Sequence, residues 1–369
     1  MDRNEILYWL RENDPAKLKT LWERADALRR ERVGDEVHLR GLIEMSNICR
    51  RNCAYCGVRA GRTGITRYRL SDEEIYETGA LAAEFGYGTI VIQSGEDLSA
   101  SKERIAGIIR ELKKRFGLAI TLSLGERPEE DWREWKEAGA DRYLIRFETT
   151  NKRLYEIIHP RLPHQKQSEV YDRLKSLETL RRIGYEIGSG VMIGIPGQSM
   201  EDLANDIEMF RALDLDMIGT GPFLAHPETP LGRFANALAE SGTNDPSRWE
   251  EIGRQTGLVI PFPEEQVESS NLMAFKVIAL TRLVRPDANI PSTTAIATND
   301  GKFGRITGLS RGANVVMPNL TPKKYRALYE IYPHKAATLE SARQTHETAL
   351  AQIREIGRVP GTGPGGRAH

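Results

Sequence analysis

The sequence predicts an α/β protein built as a parallel (β/α)8 TIM barrel. Three observations carry that prediction. Short apolar runs and helix-periodic stripes alternate eight times between residues 37 and 319. The runs are mostly apolar throughout, as strands covered by helices on both faces must be. The 369 residues exceed the roughly 250 that such a barrel needs, leaving chain for additions at both ends. An open doubly wound sheet is the alternative allowed by the same rhythm.

Residues 1–36 read as a polar helical extension with Leu7, Leu10, Leu18 and Leu21 as its apolar stripe. Residues 37–332 read as the barrel. Its first strand, 37–46, runs straight into the cysteine-bearing loop. Ser71 and Glu74 stand three apart as a capping box, before a helix with Ile75, Gly79, Ala82 and Phe85 on one face. Residues 89–93, 119–125 and 142–148 supply the next three strands, separated by stripes through Ile105–Phe116 and Trp132–Ala138. Strand five is expected at 190–195, ended by Pro196-Gly197, and strand six at 217–223. Residues 225–268, rich in Pro, Gly, Glu and Ser, read as a long surface excursion. Strands seven and eight are expected at 289–295 and 314–319. Pro322 opens a further helix at its first turn. Residues 333–369 read as a helix and tail packed on the barrel, with the Gly- and Pro-rich end expected to hug the surface or fray.

Lysine plus arginine equals aspartate plus glutamate, 52 each. That balance gives no electrostatic reason to expect nucleic acid or an anionic membrane as partner. No apolar run approaches the roughly 18 residues that span a bilayer, and the charged start, Met1 to Glu5, lacks a signal-peptide core. The expected setting is cytoplasmic.

The chemistry concentrates in Cys49-Arg50-Arg51-Asn52-Cys53-Ala54-Tyr55-Cys56, which holds all three cysteines of the chain. Three thiols cannot build a disulfide framework, and their clustering calls for a reducing compartment. Structural zinc takes four ligands. Three thiolates suit a 4Fe-4S cluster with one iron left open, and because exposed clusters oxidise readily the expected setting is anaerobic. Active-site groups of a parallel barrel follow the carboxyl ends of its strands. Those ends bring Ser94, Gly95, Glu96 and Asp97, then Thr121, Ser123 and Glu126, then Arg146 with Glu148, then Met192. Arg146 and Glu148 are two apart and so share a face. A lumenal cation and anion there need pairing or a ligand. His159, His164 and His226 read as loop histidines without metal spacing. Arg50 and Arg51 read either as solvated or as a positive face for an electron donor.

The CxxxCxxC spacing, with the aromatic Tyr55 before the third cysteine, resembles the signature of radical S-adenosylmethionine (SAM) enzymes. The resemblance implies that SAM chelates the open iron and that Tyr55 lies near its adenine. Longer collinear motifs resemble FeFe-hydrogenase maturases of the HydE type: Asn47 through Gly57, Gln93 through Asp97, Thr121 through Glu126, Glu137 through Leu144, Gly194 through Gln198, Gly221 through Phe223, Ile290 through Ala295 and Tyr325 through Tyr329. The likeness implies one 4Fe-4S cluster on Cys49, Cys53 and Cys56. It implies SAM against Ser94 to Asp97, its ribose at Glu148 and Ser123, and its carboxylate at Arg173. Thr121, Arg146, Met192, Thr293, Thr294, Tyr325 and Tyr329 would border the substrate. The family acts on an organometallic iron precursor bearing CO, cyanide and cysteine, on the way to the hydrogenase H-cluster. The expected partners are that small molecule, a reductant such as flavodoxin or ferredoxin, and other hydrogenase maturases.

The sequence departs from some relatives in carrying Phe147 where they have histidine, and in lacking cysteines for a second cluster. A radical SAM mutase of the methylornithine synthase type, another biotin-synthase-like barrel enzyme and a non-catalytic cluster carrier are the competing readings.

Overall fold

The eleven residues Glu36–Ser46 form the longest strand, β1, and the sheet is laid down from it. The structure, a computed structural model, describes residues 1–162, 173–242, 245–336 and 338–367. Strands β2 (Thr89–Ser94), β3 (Ala119–Ser123), β4 (Arg142–Leu144) and β5 (Glu186–Ser189) follow in parallel, each bonded to the one before. Beyond β5 lies β6 (Met192–Ile193). Next, β7 (Met217–Ile218) pairs with β5, while β8 (Gly221–Pro222) pairs with β6 as an upper storey. Bridges from Met217 to Asn289 and from Pro291 to Val315 carry the ring onward. Strand β9 (Val315–Val316) then closes it on β1 at His38 and Leu39. The parallel barrel read from the sequence is the fold.

Strand alternation sorts the side chains. Along β1, Arg40, Leu42 and Glu44 face the lumen, whereas Ile43 and Met45 join the apolar layer under the helices. The N-terminal helices Arg3–Arg11 and Pro15–Val33 pack outside the barrel. Lys276 of helix Asn271–Val284 anchors their junction by donating to Leu10 O at 2.9 Å and Asn13 Oδ1 at 3.0 Å.

Four local expectations are corrected. Strand five of the ring is Glu186–Ser189 rather than 190–195. Its polar start is neutralised by Arg142, 2.6 Å from Glu186, and the more apolar run after it serves the upper storey. Only Asn289 and Pro291 of strand seven bridge neighbours, and helix Thr294–Leu309 begins where 289–295 was expected to remain extended. The excursion over 225–268 contains two helices, Pro230–Ser241 and Pro246–Thr256. Proline in their first turns and Gly242 and Gly257 at their C-caps are helix punctuation, which composition alone makes look like loop. Leu231, Phe234, Trp249 and Ile252 form a second apolar cluster with Ala54, Met192 and Phe223 beside the cysteine loop.

The fourth correction concerns the tail, which neither frays nor merely hugs the surface. Val359–Pro360 forms β10, paired with the foot of β1, and the following residues cross the base of the barrel. Pro364 O accepts from Thr89 Oγ1 at 2.7 Å and Arg142 Nη2 at 3.1 Å. Gly365 O accepts from Arg40 Nη2 at 2.8 Å and Asn289 Nδ2 at 3.2 Å. Arg367 is held by Asp287 at 2.6 Å, Asp214 at 3.0 Å and Asp216 at 3.1 Å. Burial, with Arg142 nearby, lowers Arg40 to about 9, so these carbonyls matter to it.

Truncation after Pro360 strips Arg40, Thr89 and Arg142 of acceptors. A buried donor left unpaired costs about 1–3 kcal/mol. The urea midpoint should therefore fall with little change in slope, and an unchanged midpoint would contradict this role.

Candidate functional site

The three cysteines leave the top of β1 in a loop pinned by backbone bonds from four directions. Arg50 N donates to Glu96 O at 3.0 Å, Ala54 N to Ile158 O at 2.8 Å, Leu231 N to Ala54 O at 2.9 Å and Gly57 N to Ile331 O at 2.9 Å. Gly95 must be glycine for this docking. A Cβ there would sit 2.3 Å from Ile48 O and 2.7 Å from Cys49 Cβ. The same turn brings Glu96 N to within 3.3 Å of Cys49 Sγ, as a donor.

Charge pairing completes the collar. Buried Glu96 accepts from Arg50 Nε at 2.6 Å and Arg51 Nε at 3.0 Å through Oε1, and from Glu126 N at 3.0 Å through Oε2. Glu126 in turn pairs with Arg51 and, at 3.0 Å, with Arg173. Arg173 Nη1 reaches Arg146 O at 2.5 Å. Arg51 is thus buried in the collar and forms no positive face for a donor protein. Arg50 is tied to the same carboxylate.

A cavity of about 350 Å³ runs from the cysteines into the lumen. It brings together Cys49, Cys53, Cys56 and Tyr55 with Ser94, Gly95, Glu96, Thr121 and Ser123. It also takes in Arg146, Glu148, Arg173, Met192, Thr293, Thr294 and Tyr329. Three predicted site residues stand outside it, Glu126 in the collar and two others. Asp97 turns its carboxylate to Arg69 at 2.6 Å and to Ser46 and Ser99, bracing the collar from behind. Tyr325 points outward, stacked on Tyr68 at 4.6 Å with its hydroxyl 3.1 Å from Glu74. Glu96, next to Asp97, and Tyr329, one helical turn after Tyr325, do line the cavity.

Arg146 and Glu148 share the lumenal face as their spacing requires, 3.4 Å apart, while Phe147 is buried outward against Phe210. Glu148 has φ +63°, an unusual backbone state for a residue with a side chain. It is held by bonds from Glu148 N to Gly190 O at 3.1 Å and Met192 N to Glu148 O at 3.3 Å. Asp206 clamps the next turn, accepting from Thr150 N at 2.5 Å and Thr150 Oγ1 at 2.7 Å.

Sequence reasoning missed several residues. His159 is buried, with Nε2 2.9 Å from Tyr55 Oη and 3.5 Å from Cys53 Sγ. Burial, then Arg173 and Arg51, push its imidazole well below the usual range, so it stays neutral beside the thiols. Its position, eight residues after Asn151, carries no metal spacing that could have marked it. His226 is buried too, 3.4 Å from Glu330, and His164 lies outside the described residues. Glu44 and Lys335 form a buried ion pair of 2.7 Å on the cavity wall.

The residues fit a thiolate-held cluster with an organic ligand. Burial raises all three thiols, Cys56 to about 12, and a coordinated metal reverses this by taking the thiolate form. Among the described residues no three His, Cys, Asp or Glu side chains converge as a mononuclear metal site would. A cubane needs instead a separate thiolate for each of three irons. Thr121 Oγ1 is buried on the wall without a hydrogen-bond partner, and Arg146 Nε and Glu148 Oε2 have only their mutual ion pair at 3.4 Å, which leaves polar capacity for a ligand.

A three-cysteine loop at the carboxyl mouth of a parallel barrel defines the class of radical SAM enzymes, and residues 43–210 match the model of the Radical SAM superfamily. The chain is 42% identical over 355 residues to the [FeFe] hydrogenase maturase subunit HydE of Thermotoga maritima, covering 96% of this chain and 90% of that protein. It therefore belongs to the HydE family of that superfamily. It is also 28% identical to a 3-methylornithine synthase of Methanosarcina acetivorans, over 81% of this chain and 74% of that one. In fold it is similar to the crystal structure of methylornithine synthase, with TM-score 0.77 at 22% identity, covering 98% and 94% of the two chains. It is likewise similar to the maturase HydG, with TM-score 0.73 at 16% identity, covering 98% and 72%.

Asp206 offers a pH test. Burial raises its carboxyl to about 7, against the pull of its donors. The folded state therefore holds a proton that the unfolded chain releases near pH 4. The stability from that proton is complete below pH 4 and lost as pH rises toward 7, by about 4 kcal/mol at most. Asp206→Asn should flatten the stability-versus-pH curve across this window. Parallel curves for parent and variant would refute the assignment.

Proposed function

We propose that this enzyme cleaves SAM reductively to act on an iron precursor carrying CO, cyanide and cysteine, in assembly of the FeFe-hydrogenase H-cluster. The observation that carries the reading is the single cavity joining the three-cysteine loop to a polar barrel lumen, in a chain of the HydE family. Cys49, Cys53 and Cys56 would hold one 4Fe-4S cluster. When bound, the cluster supplies one electron that breaks a carbon–sulfur bond of SAM and releases the 5′-deoxyadenosyl radical.

The chain's own groups do the positioning. Ser94, Gly95 and Glu96 border the space next to Cys49 and would take the methionine end of SAM. Glu148 Oε2, which has the Arg146 ion pair but no hydrogen bond, suits a ribose hydroxyl, and Ser123 supplies a second polar group for it. Arg173 brings a guanidinium for a carboxylate. Tyr55, its hydroxyl 3.3 Å from Glu148 Oε1, gives a flat surface beside the sulfurs. Deeper groups, Thr121, Arg146, Met192, Thr293, Thr294 and Tyr329, border the chamber for the iron complex. Thr293 Oγ1 is anchored on Thr220 O at 3.0 Å, which fixes that wall. Burial of the chamber excludes water, which an organic radical requires. Electrons would come from a reductant such as flavodoxin or ferredoxin, and the product would pass to other hydrogenase maturases.

Anaerobically reconstituted protein with dithionite and SAM should yield 5′-deoxyadenosine. A synthetic iron–CO–cyanide–cysteine complex should be consumed with it, whereas lysine should not. Consumption of lysine alone would support a mutase instead. Glu148→Gln keeps shape but removes the charge facing the ribose. It should raise the KM for SAM by about tenfold to a hundredfold, with iron content unchanged. Cys53→Ala should abolish iron binding, read from the iron content and from loss of the sulfur-to-iron charge-transfer absorbance.

A further inference from the structure

One buried imidazole stands directly behind the site without lining its cavity. His159 caps helix Lys152–Ile158, and Ile158 O accepts from Ala54 N at 2.8 Å in the cysteine loop. The His159 backbone N donates to Tyr155 O at 2.7 Å. Its ring lies over that of Tyr155, with centroids 5.0 Å apart and planes 3° from parallel, and the residue is 3% exposed. The imidazole is therefore fixed in place, and what it can do depends on the hydrogens it gives and takes. Tyr55 Oη lies 2.9 Å from His159 Nε2 and 3.3 Å from Glu148 Oε1. Cys53 Sγ lies 3.5 Å from Nε2 and 3.6 Å from Nδ1.

Tyr55 has one hydroxyl proton, and Nε2 and the Glu148 carboxylate compete for it. A neutral imidazole carries one N–H and one lone pair, and the partner of one nitrogen decides the role of the other. A sulfur held on a metal is deprotonated and can only accept. Nε2 is engaged by Tyr55, so Nδ1 is the nitrogen that keeps the proton and donates to Cys53. Nε2 is then an acceptor, and the Tyr55 hydroxyl turns to it rather than to Glu148. A vicinal diol presents two O–H donors, which suit the two oxygens of one carboxylate. We propose that His159 is a positioning residue that draws the Tyr55 hydroxyl off Glu148, so that both carboxylate oxygens receive the ribose hydroxyls of SAM. This rests on the reading of Glu148 as the ribose acceptor. Without the imidazole, the Tyr55 hydroxyl turns to the carboxylate, and the ribose meets an acceptor already taken.

The test measures dissociation constants by equilibrium dialysis, with reconstituted full-length enzyme and no reductant, for SAM and for its 2′,3′-dideoxy analogue. His159→Phe keeps a ring over Tyr155 and removes both nitrogens. It should raise the constant for SAM about tenfold, as one lost hydrogen bond to a charged group predicts, with iron content unchanged. The analogue, which asks nothing of Glu148, should bind parent and variant alike. Tyr55→Phe added to His159→Phe should restore most of the affinity for SAM, because it deletes the competing hydroxyl. Penalties that add in the double variant would mean that His159 merely supports the loop, and would overturn the proposal. So would an equal loss for SAM and the analogue. Should His159→Phe take up no iron, reach decides: His159→Gln, whose amide extends as far as Nε2, should hold SAM as the parent does, and the shorter His159→Asn should not. Equal affinities in those two, or loss of iron in all three, would overturn the proposal. A parent that binds SAM no better than the analogue overturns the ribose reading and this inference together, whereas the other adverse results overturn this inference alone.

Discussion

The site depends on the buried carboxylate of Glu96. It gathers Arg50, Arg51 and the Glu126 amide on its two oxygens, while its own amide points at Cys49 Sγ. The loop carries two arginines next to three thiols and is also pinned by backbone bonds at Arg50, Ala54 and Gly57. One anion converts it into a fixed rim on the barrel, and Gly95 permits the approach because no side chain intervenes. The collar then extends through Glu126 and Arg173 to the backbone of Arg146. The sulfurs and the lumenal wall are thus held in one continuous network.

Much of this was legible in the sequence for definite reasons. The cysteines mark themselves by spacing and by having no fourth member. Arg146 and Glu148 were placed together, with Phe147 outward, by period-two alternation over an expected strand 142–148; the pairing holds although β4 ends at Leu144 and Glu148 leaves the extended state at φ +63°. The barrel was legible from repeated apolar runs. What failed were decisions that tertiary contacts make. Asp97 follows directly on cavity residues and Tyr325 precedes one by a helical turn, yet their contacts lie elsewhere, with Arg69 and Glu74. Gly190 allows β5 to end early and a second storey to begin, since a Cβ there would strike Gly219 O. His159 and Lys335 gave no signal because their partners, Tyr55 and Glu44, lie 104 and 291 residues away.

The additions to the barrel serve its mouth as much as its stability. The helices Pro230–Ser241 and Pro246–Thr256 bring an apolar cluster against Ala54 in the middle of the cysteine loop. The segment carrying Glu330 and Lys335 reaches both the rim, at His226, and the interior, at Glu44. Elements distant in sequence therefore converge where the chemistry is, and the eight-stranded ring between them acts as a rigid frame.

The tail crossing beneath the strands has a consequence for traffic. With its carbonyls taken by Arg40, Thr89 and Arg142, the barrel becomes a vessel stoppered at the foot, with its reactive sulfurs at the lip. Molecules in such a vessel must queue. Whatever occupies the depths has to arrive before the lip is filled and can depart only after it clears, so the architecture itself imposes a sequence on loading and release.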